Sequence, residues 1–331
     1  IICSIIPFAT EFWYFKMLFL VIGVSFALIK VSAFATIGII TSTKSEHASY
    51  MNLLEAVFMG ALLIGIMTTS YFIDDNDSKS RIWLTIYWML SGLSFAAFLL
   101  LLFTKLDESE AKIETRSVIS DFIEMFKIMV KPLSIIFIIS IFFYVLIEQS
   151  FSTWLPTFYG EILKATPKMA IQSGAILAGA TFLGRLASGF VLLRVKWIYY
   201  LSFCLIAVAT IILIVLPIAK NFTIDSSFKM TWLNAPTFVY LLPLMGLFLA
   251  LIYPTINSTI LSSLPKYMHS SMSGLIVVFS ALGGTTGSII TGHIFEAFDG
   301  ITAFYFALVP VIVIFISLWI LYKITDKNAA N

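Results

Sequence analysis

Long apolar runs, broken only by short polar interruptions, constrain this chain more than any other feature. After a brief opening stretch they fall at about residues 14–41, 49–73, 82–104, 132–158, 169–193, 196–218, 236–263, 270–295 and 301–323. Each is long enough to carry a helix across roughly 30 Å of hydrocarbon, some of them tilted. A transmembrane barrel would show alternating segments of about 10 residues instead. In lipid the backbone has to satisfy its own hydrogen bonds, so runs of this length mean helices. Composition points the same way. Of 331 residues, 60% are hydrophobic and 11% charged, against about 25% charged in an ordinary soluble domain. The expected fold class is therefore an all-α membrane protein with many spans.

Other classes are excluded by what is missing. The net charge of +2 comes with no basic patch, so nucleic acid is not an expected partner. Cys3 and Cys204 lie far apart in apolar runs and read as small buried hydrophobes, neither a disulfide framework nor a metal motif. The chain has no H-E-x-x-H, no paired aspartates at a helix mouth and no P-loop, so neither a metal nor a cofactor is expected. The acidic run Asp74-Asp75-Asn76-Asp77 sits in a short loop and reads as solvated. The opening run, Ile1 to Thr10, is too short to span and lacks the basic n-region of a signal peptide. It reads as the tail of a helix whose beginning is absent.

One connector stands apart. Thr104 to Lys131 carries eleven charged residues, with Ile119, Phe122, Ile123, Phe126 and Ile128 recurring at near-helical spacing. It reads equally as an amphipathic surface helix or as a solvated linker. Either way it divides the chain into a partial N-terminal bundle (1–104), a cytoplasmic connector (105–131) and a C-terminal six-helix bundle (132–331). With the connector in the cytoplasm, Lys44, Arg194, Lys196, Lys266, Lys323 and Lys327 fall on the same side. The opposite side holds Lys16, Lys79, Arg81, Lys164, Lys168, Lys220 and Lys229. A faint repeat, Lys44-Ser-Glu-His47-Ala-Ser49 against Lys266-Tyr-Met-His269-Ser-Ser271, suggests two related halves.

Several stretches resemble the major facilitator superfamily, and within it the fucose permease-like sugar:proton symporters. Gly184-Arg185-Leu186-Ala-Ser-Gly189 followed by Arg194 is similar to the second-half copy of the superfamily's cytoplasmic loop signature, although Leu193 stands where that signature often has Asp. Tyr253-Pro254-Thr255-Ile256 resembles the family's tenth helix. Asn52-Leu53-Leu54-Glu55 resembles its fifth, and Tyr144-Val145 with Glu148 its seventh. Gly283-Gly284 with Gly292 resembles its glycine-rich eleventh helix, with Ile289 in place of the family's proline. The resemblance covers nearly the whole chain, from the family's late third helix to its twelfth, and identifies it as a fragment lacking two helices and much of a third. It implies proton-coupled secondary transport of a small polar solute, in particular a sugar, by alternating access. It further implies a monomer in the bacterial inner (cytoplasmic) membrane, with lipid, a proton and a small molecule as partners. An efflux or other organic-solute carrier on the same fold, or a membrane-embedded enzyme, stays open as an alternative.

Candidate site residues follow from the cost of polar groups inside spans, which marks solute and proton pathways. Lys30 lies deep in the 14–41 run, where the family carries a proton-coupling Glu; it lines a cavity or pairs with Glu55. Tyr144, Glu148 and Ser152 are spaced i, i+4, i+8 and so form one helical stripe, with Gln149 and Trp154 nearby. Aromatic faces suit sugar rings, and amides and carboxylates suit hydroxyls. Trp154 reads equally as part of an interfacial aromatic belt. Tyr253 and Asn257 share a face, and Pro254 bends that helix. Asn52 and Glu55 are cavity groups or interhelical glue. Arg185 and Arg194 are expected to brace the cytoplasmic gate. Gly283, Gly284, Gly287 and Gly292 allow close helix packing, and His293 reads as interfacial.

Overall fold

The computed structural model describes residues 2–40, 44–75, 77, 80–105, 126–127, 129–191, 194–222, 230–263 and 269–330. In chain order the helices are α1 (Ile2–Ile5), α2 (Phe12–Ile40), α3 (Lys44–Tyr71), α4 (Ile86–Phe103), α5 (Pro132–Glu161), α6 (Pro167–Val191), α7 (Trp197–Asn221), α8 (Thr237–Leu249), α9 (Ile252–Ser263), α10 (His269–Ala297), α11 (Gly300–Tyr305) and α12 (Leu308–Ala330). Short 3₁₀ turns precede α2 at Ile6–Phe8 and α4 at Ile82–Thr85. Among the described residues extended pairing is confined to one isolated bridge, Ala165 with Met230. Among the described residues, eight stretches are long and apolar enough to cross a membrane. The 49–73 run is the exception: its apolar helical part is the shorter Val57–Tyr71.

Two expected spans are each broken in two, and one rule explains both. A proline has no N–H for the carbonyl four residues back, and its ring crowds that carbonyl. Pro254 acts on Ala250, and the 236–263 run is interrupted at Ala250–Leu251 between α8 and α9. Pro310 acts on Phe306, and the 301–323 run is interrupted at Phe306–Ala307 between α11 and α12. Past the break the Leu251 carbonyl accepts from Thr255 twice, from its N–H at 3.4 Å and from its hydroxyl at 2.7 Å. Pro156, Pro217 and Pro243 lie inside helices that continue through them. At Pro243 the orphaned carbonyl belongs to Val239, and the Tyr159 hydroxyl of α5 donates to it.

The chain divides into two compact units, Ile1–Ala61 with Met67–Glu114, and Leu62–Ile66 with Thr115–Asn331. In the first, Ile6, Leu18 and Leu84 form a small core with Phe15, Trp83 and Tyr87 around it. Phe15 stacks on Trp83 at 6.0 Å, and Arg81 donates to the carbonyl of Ala9. Phe26 of α2 meets Phe58 of α3 at 5.7 Å.

The second unit is organised on α5, which packs against α6, α9, α10, α11 and α12. Phe137, Ile141, Ile147, Phe151, Leu155 and Phe158 of α5 are buried in its core. Phe158 stacks on Phe304 of α11 with centroids 4.6 Å apart and planes 7° from parallel. Glycine lets two helix pairs approach to backbone contact. A Cβ on Gly283 or Gly287 of α10 would strike the carbonyl of Phe142 or Leu146 on α5. On the other side of the unit, a Cβ on Gly184 of α6 would lie 2.6 Å from the Leu247 carbonyl oxygen of α8. One on Gly246 would lie 2.5 Å from the Leu177 carbonyl oxygen of α6. Such small-residue contacts are how helices associate where lipid competes for apolar surface.

Connectivity and two contacts sort the basic residues of this unit by end. Lys131, Arg194 and Lys196 flank one end of α5, α6 and α7, and Trp197 against Tyr322 at 5.9 Å brings Lys323 there too. Lys164, Lys168 and Lys220 occupy the other end, where Lys220 acts on Asp299.

Candidate functional site

An uninterrupted helix carries Glu148 far from either of its ends. It stands 16 residues after Pro132 and 13 before Glu161, so at 1.5 Å per residue it is about 20 Å or more from each end of α5. A lone charge at such depth costs about 3 kcal/mol or more, which requires a partner or water. The partner comes from α6: Nη2 of Arg185 lies 3.9 Å from Oε1 of Glu148, with the arginine side chain 14% and the glutamate 25% exposed. Charge-assisted hydrogen bonds close at about 2.7–2.9 Å. The pair is therefore electrostatic rather than tightly bonded.

Two tyrosines complete the immediate surroundings. One turn before Glu148, Tyr144 is fully buried, and its hydroxyl is directed at the Glu148 carboxylate. It lies within electrostatic range of Glu148, Arg185 and Tyr253. Tyr253 of α9 meets it ring to ring, centroids 5.8 Å apart and planes at 36°. Asn257, one turn further along α9, has a buried amide oxygen without a hydrogen-bond partner among the described residues, as does the Ser280 hydroxyl of α10. Tyr253 and Asn257 stand just past the break that Pro254 causes, so the broken helix delivers them to the unit's interior. Within the second unit these helices thus bring together an acid, a permanent cation, two aromatic faces and the buried polar atoms of Asn257 and Ser280. Such an arrangement can bind a small polar molecule and exchange a proton.

Other expected residues fall elsewhere. Gln149 is exposed and flanks Gly284. Ser152 is exposed as well, so the 144–148–152 stripe runs from the core outward. Trp154 is committed to packing: its indole N–H donates to the Ser288 carbonyl at 2.9 Å, its ring stacks on Phe295 at 5.5 Å, and it fills the space over Gly292. His293 is exposed near the end of α10. Arg194 is exposed in the turn after α6, whereas Arg185, grouped with it as a gate residue by resemblance, faces Glu148 instead. The side chains of Lys30, Asn52 and Glu55 lie outside the described residues, as do residues 106–125 of the connector and Lys266; the backbones of the first three belong to α2 and α3.

Sequence reasoning missed the Glu148–Arg185 pair. A signal was present, because Arg185 lies inside the 169–193 apolar run and an intramembrane charge is a site candidate in its own right. The loop-signature resemblance drew it to the membrane face instead.

A family model described as Major Facilitator Superfamily matches residues 1–287. No curated protein matches the chain. With most of its length covered by that one model, and eight helices able to cross a bilayer among its described residues, the chain belongs to the major facilitator superfamily, whose multi-pass membrane proteins are secondary transporters and not enzymes.

Proposed function

We propose that this protein is a proton-coupled carrier of a small hydroxylated solute of the sugar class, and that Glu148, Arg185, Tyr144, Tyr253 and Asn257 form the part of its binding site that the C-terminal bundle contributes. The observation that carries the reading is the Glu148–Arg185 pair, held in mid-helix at 3.9 Å and still partly exposed. A carboxylate so placed is pulled two ways. Desolvation favours its protonated form and the guanidinium its charged form, so a small change in surroundings moves a proton on or off it. Tyr144 and Tyr253 supply ring faces, and Asn257 supplies an amide for hydroxyls. The fucose permease-like motifs point to the same solute class. Lys30, Glu55 and Asn52 are the matching polar positions of the N-terminal bundle, and Gln149, Ser152 and Trp154 are outlying ones.

In this reading residues 1–104 and 132–331 are the two bundles that rock past each other, joined by a cytoplasmic connector at 105–131. Arg194 braces the gate on the connector's side. The protein works as a monomer in a bacterial cytoplasmic membrane. Counterflow of a labelled sugar panel in proteoliposomes, run with and without a pH gradient, tests the proposal. The wild type accumulates solute along the proton gradient. Glu148→Gln keeps counterflow and loses that accumulation. Unchanged pH-driven accumulation and unchanged affinity in Glu148→Gln would remove the acid from the mechanism.

A further inference from the structure

We infer that the adjoining ends of α7 and α12 form a binding site for an anionic phospholipid headgroup, a phosphodiester such as that of phosphatidylglycerol, held by Lys196 and Lys323. The site is separate from the one around Glu148 and stands whatever solute the protein carries. Its two lysines flank apolar spans. The span of α7 begins at Trp197 and that of α12 ends at Ile324. Lys196 and Lys323 are therefore placed where a helix leaves hydrocarbon for the headgroup layer, and both are exposed.

Four rings hold those two helix ends together. Trp197 of α7 meets Tyr322 of α12 at 5.9 Å, Tyr322 meets Trp319 at 6.0 Å, and Trp319 meets Tyr199 of α7 at 6.3 Å. The planes stand 71°, 82° and 69° apart, so every contact is edge to face, a favoured arrangement of aromatic quadrupoles. Trp and Tyr also prefer the headgroup level, where one end of the ring is wet and the other apolar. Lys196 precedes Trp197 and Lys323 follows Tyr322, so the chain of rings brings two ammonium groups on flexible stems to one place. Like charges gathered this way repel unless an anion lies between them. Among the described residues no acid pairs with either lysine. The surrounding sequence is basic as well: residues 194–196 and 323–327 carry Arg194, Lys196, Lys323 and Lys327 against Asp326 alone.

The neighbouring surface identifies the anion as a lipid's. Tyr199, Phe203 and Ile206 form an exposed strip on α7, and Ile312, Ile316 and Ile320 form one on α12, each residue between 44% and 58% exposed. Both strips lead away from the lysines into the depth of the span, where acyl chains cover them. A phosphate seated on the lysines thus arrives with chains that already have apolar surface to lie on, which a free anion lacks. A zwitterionic headgroup brings its own ammonium beside Lys196 and Lys323, and that repulsion offsets what its phosphate gains. An anionic headgroup has no such term, and basic positions at the ends of spans recruit it on that account.

The test uses the full chain in phosphatidylcholine nanodiscs, with phosphatidylglycerol or phosphatidylcholine brominated on its acyl chains added in rising fraction. Quenching of tryptophan fluorescence is the readout, and Trp197 and Trp319 report at the site. Brominated phosphatidylglycerol is expected to reach half its quenching at about a fivefold lower fraction than brominated phosphatidylcholine, or lower still, since about a fivefold preference is what one lysine near an anionic surface supplies. Lys196→Gln with Lys323→Gln abolishes the preference, and Lys196→Arg with Lys323→Arg keeps it. Lys220→Gln, at the other end of α7, leaves it at the wild-type value. Inorganic phosphate in millimolar excess does not displace the lipid. Wild-type thermal unfolding of the glutamine pair separates lost binding from misfolding. Equal quenching by the two lipids in the wild type overturns the inference and leaves the rings as an interfacial belt alone. A preference that survives the glutamine pair, or that vanishes with Lys220→Gln, also overturns it by moving the anion to another place. Displacement by inorganic phosphate overturns the lipid in favour of a free anion.

Discussion

Tyr159, Val239 and Pro243 offer a test of how this bundle satisfies its own backbone. Pro243 denies the Val239 carbonyl its helical donor, and Tyr159 of α5 supplies the replacement. Tyr159 and Val239 are both fully buried, so no water can stand in. Removing the phenol hydroxyl alone, in Tyr159→Phe, leaves a buried carbonyl unpaired and costs about 1–3 kcal/mol. In a Pro243→Ala background the backbone N–H restored at position 243 reaches the same carbonyl. There the loss of the hydroxyl forfeits only the net worth of an ordinary hydrogen bond, about 1 kcal/mol or less. The two changes should therefore be non-additive by about 1–2 kcal/mol, with the tyrosine mattering less once the proline is gone. The assay is a double-mutant cycle on the purified protein, unfolded reversibly in mixed micelles and followed by tryptophan fluorescence. Additivity within about 0.5 kcal/mol at the four corners of the cycle would show that the hydroxyl does not replace the missing amide.

Three further outcomes are expected. Gly246→Ala puts a methyl 2.5 Å from the Leu177 carbonyl oxygen, about 0.9 Å inside ordinary contact, and the opposing atoms are mostly backbone. Overpacking of about 2–3 kcal/mol outweighs a helix-propensity gain of about 1 kcal/mol, so thermal unfolding falls by a few degrees. Gly284→Ala, whose nearest neighbour is a side-chain atom at 3.4 Å, stays near wild type. If the two unfold alike, the close approach of α6 and α8 is wrong. Trp154→Phe keeps the stacking surface and loses the indole bond to Ser288, which costs about 1 kcal/mol of stability and, at an outlying position of the site, leaves transport affinity unchanged; a large rise in half-saturation would put Trp154 against the solute itself. Asp299 caps α11 by accepting from the Thr302 amide at 2.6 Å, and that bond holds its carboxyl below the usual range. A depressed folded-state pKa gives stability that is present above the ordinary carboxylate value of about 4 and is lost as pH falls through the folded value. Asp299→Ala should therefore be less stable by about 1 kcal/mol at about pH 7, with the gap closing below about pH 4. A gap that persists in acid would assign the effect to something other than the ionised cap.

Helices, their approximate ends and the membrane environment are legible in the sequence because lipid makes them local matters. Each span answers only to its own length, polarity and backbone pairing, so the runs at 132–158, 169–193 and 196–218 correspond to α5, α6 and α7 almost directly. Pro254 likewise announces its own bend. Much of the site residue list is legible for the same reason: Tyr144, Glu148, Tyr253 and Asn257 are polar where polarity is costly. What they do to one another is not local. Whether Arg185 meets a gate or meets Glu148 depends on the rotation of α6 about its axis. That rotation is set by Gly184 and Gly246, which let α6 and α8 close to backbone contact. Nor does any pattern within α10 foretell that Trp154 closes over Gly292 and spends its N–H on Ser288. Tyr159 and Pro243 stand 84 positions apart, and nothing in either segment pairs them before the helices dock. Spans are written one helix at a time, whereas ion pairs, rescued carbonyls and ring contacts come into being only when side chains from different helices share one interior.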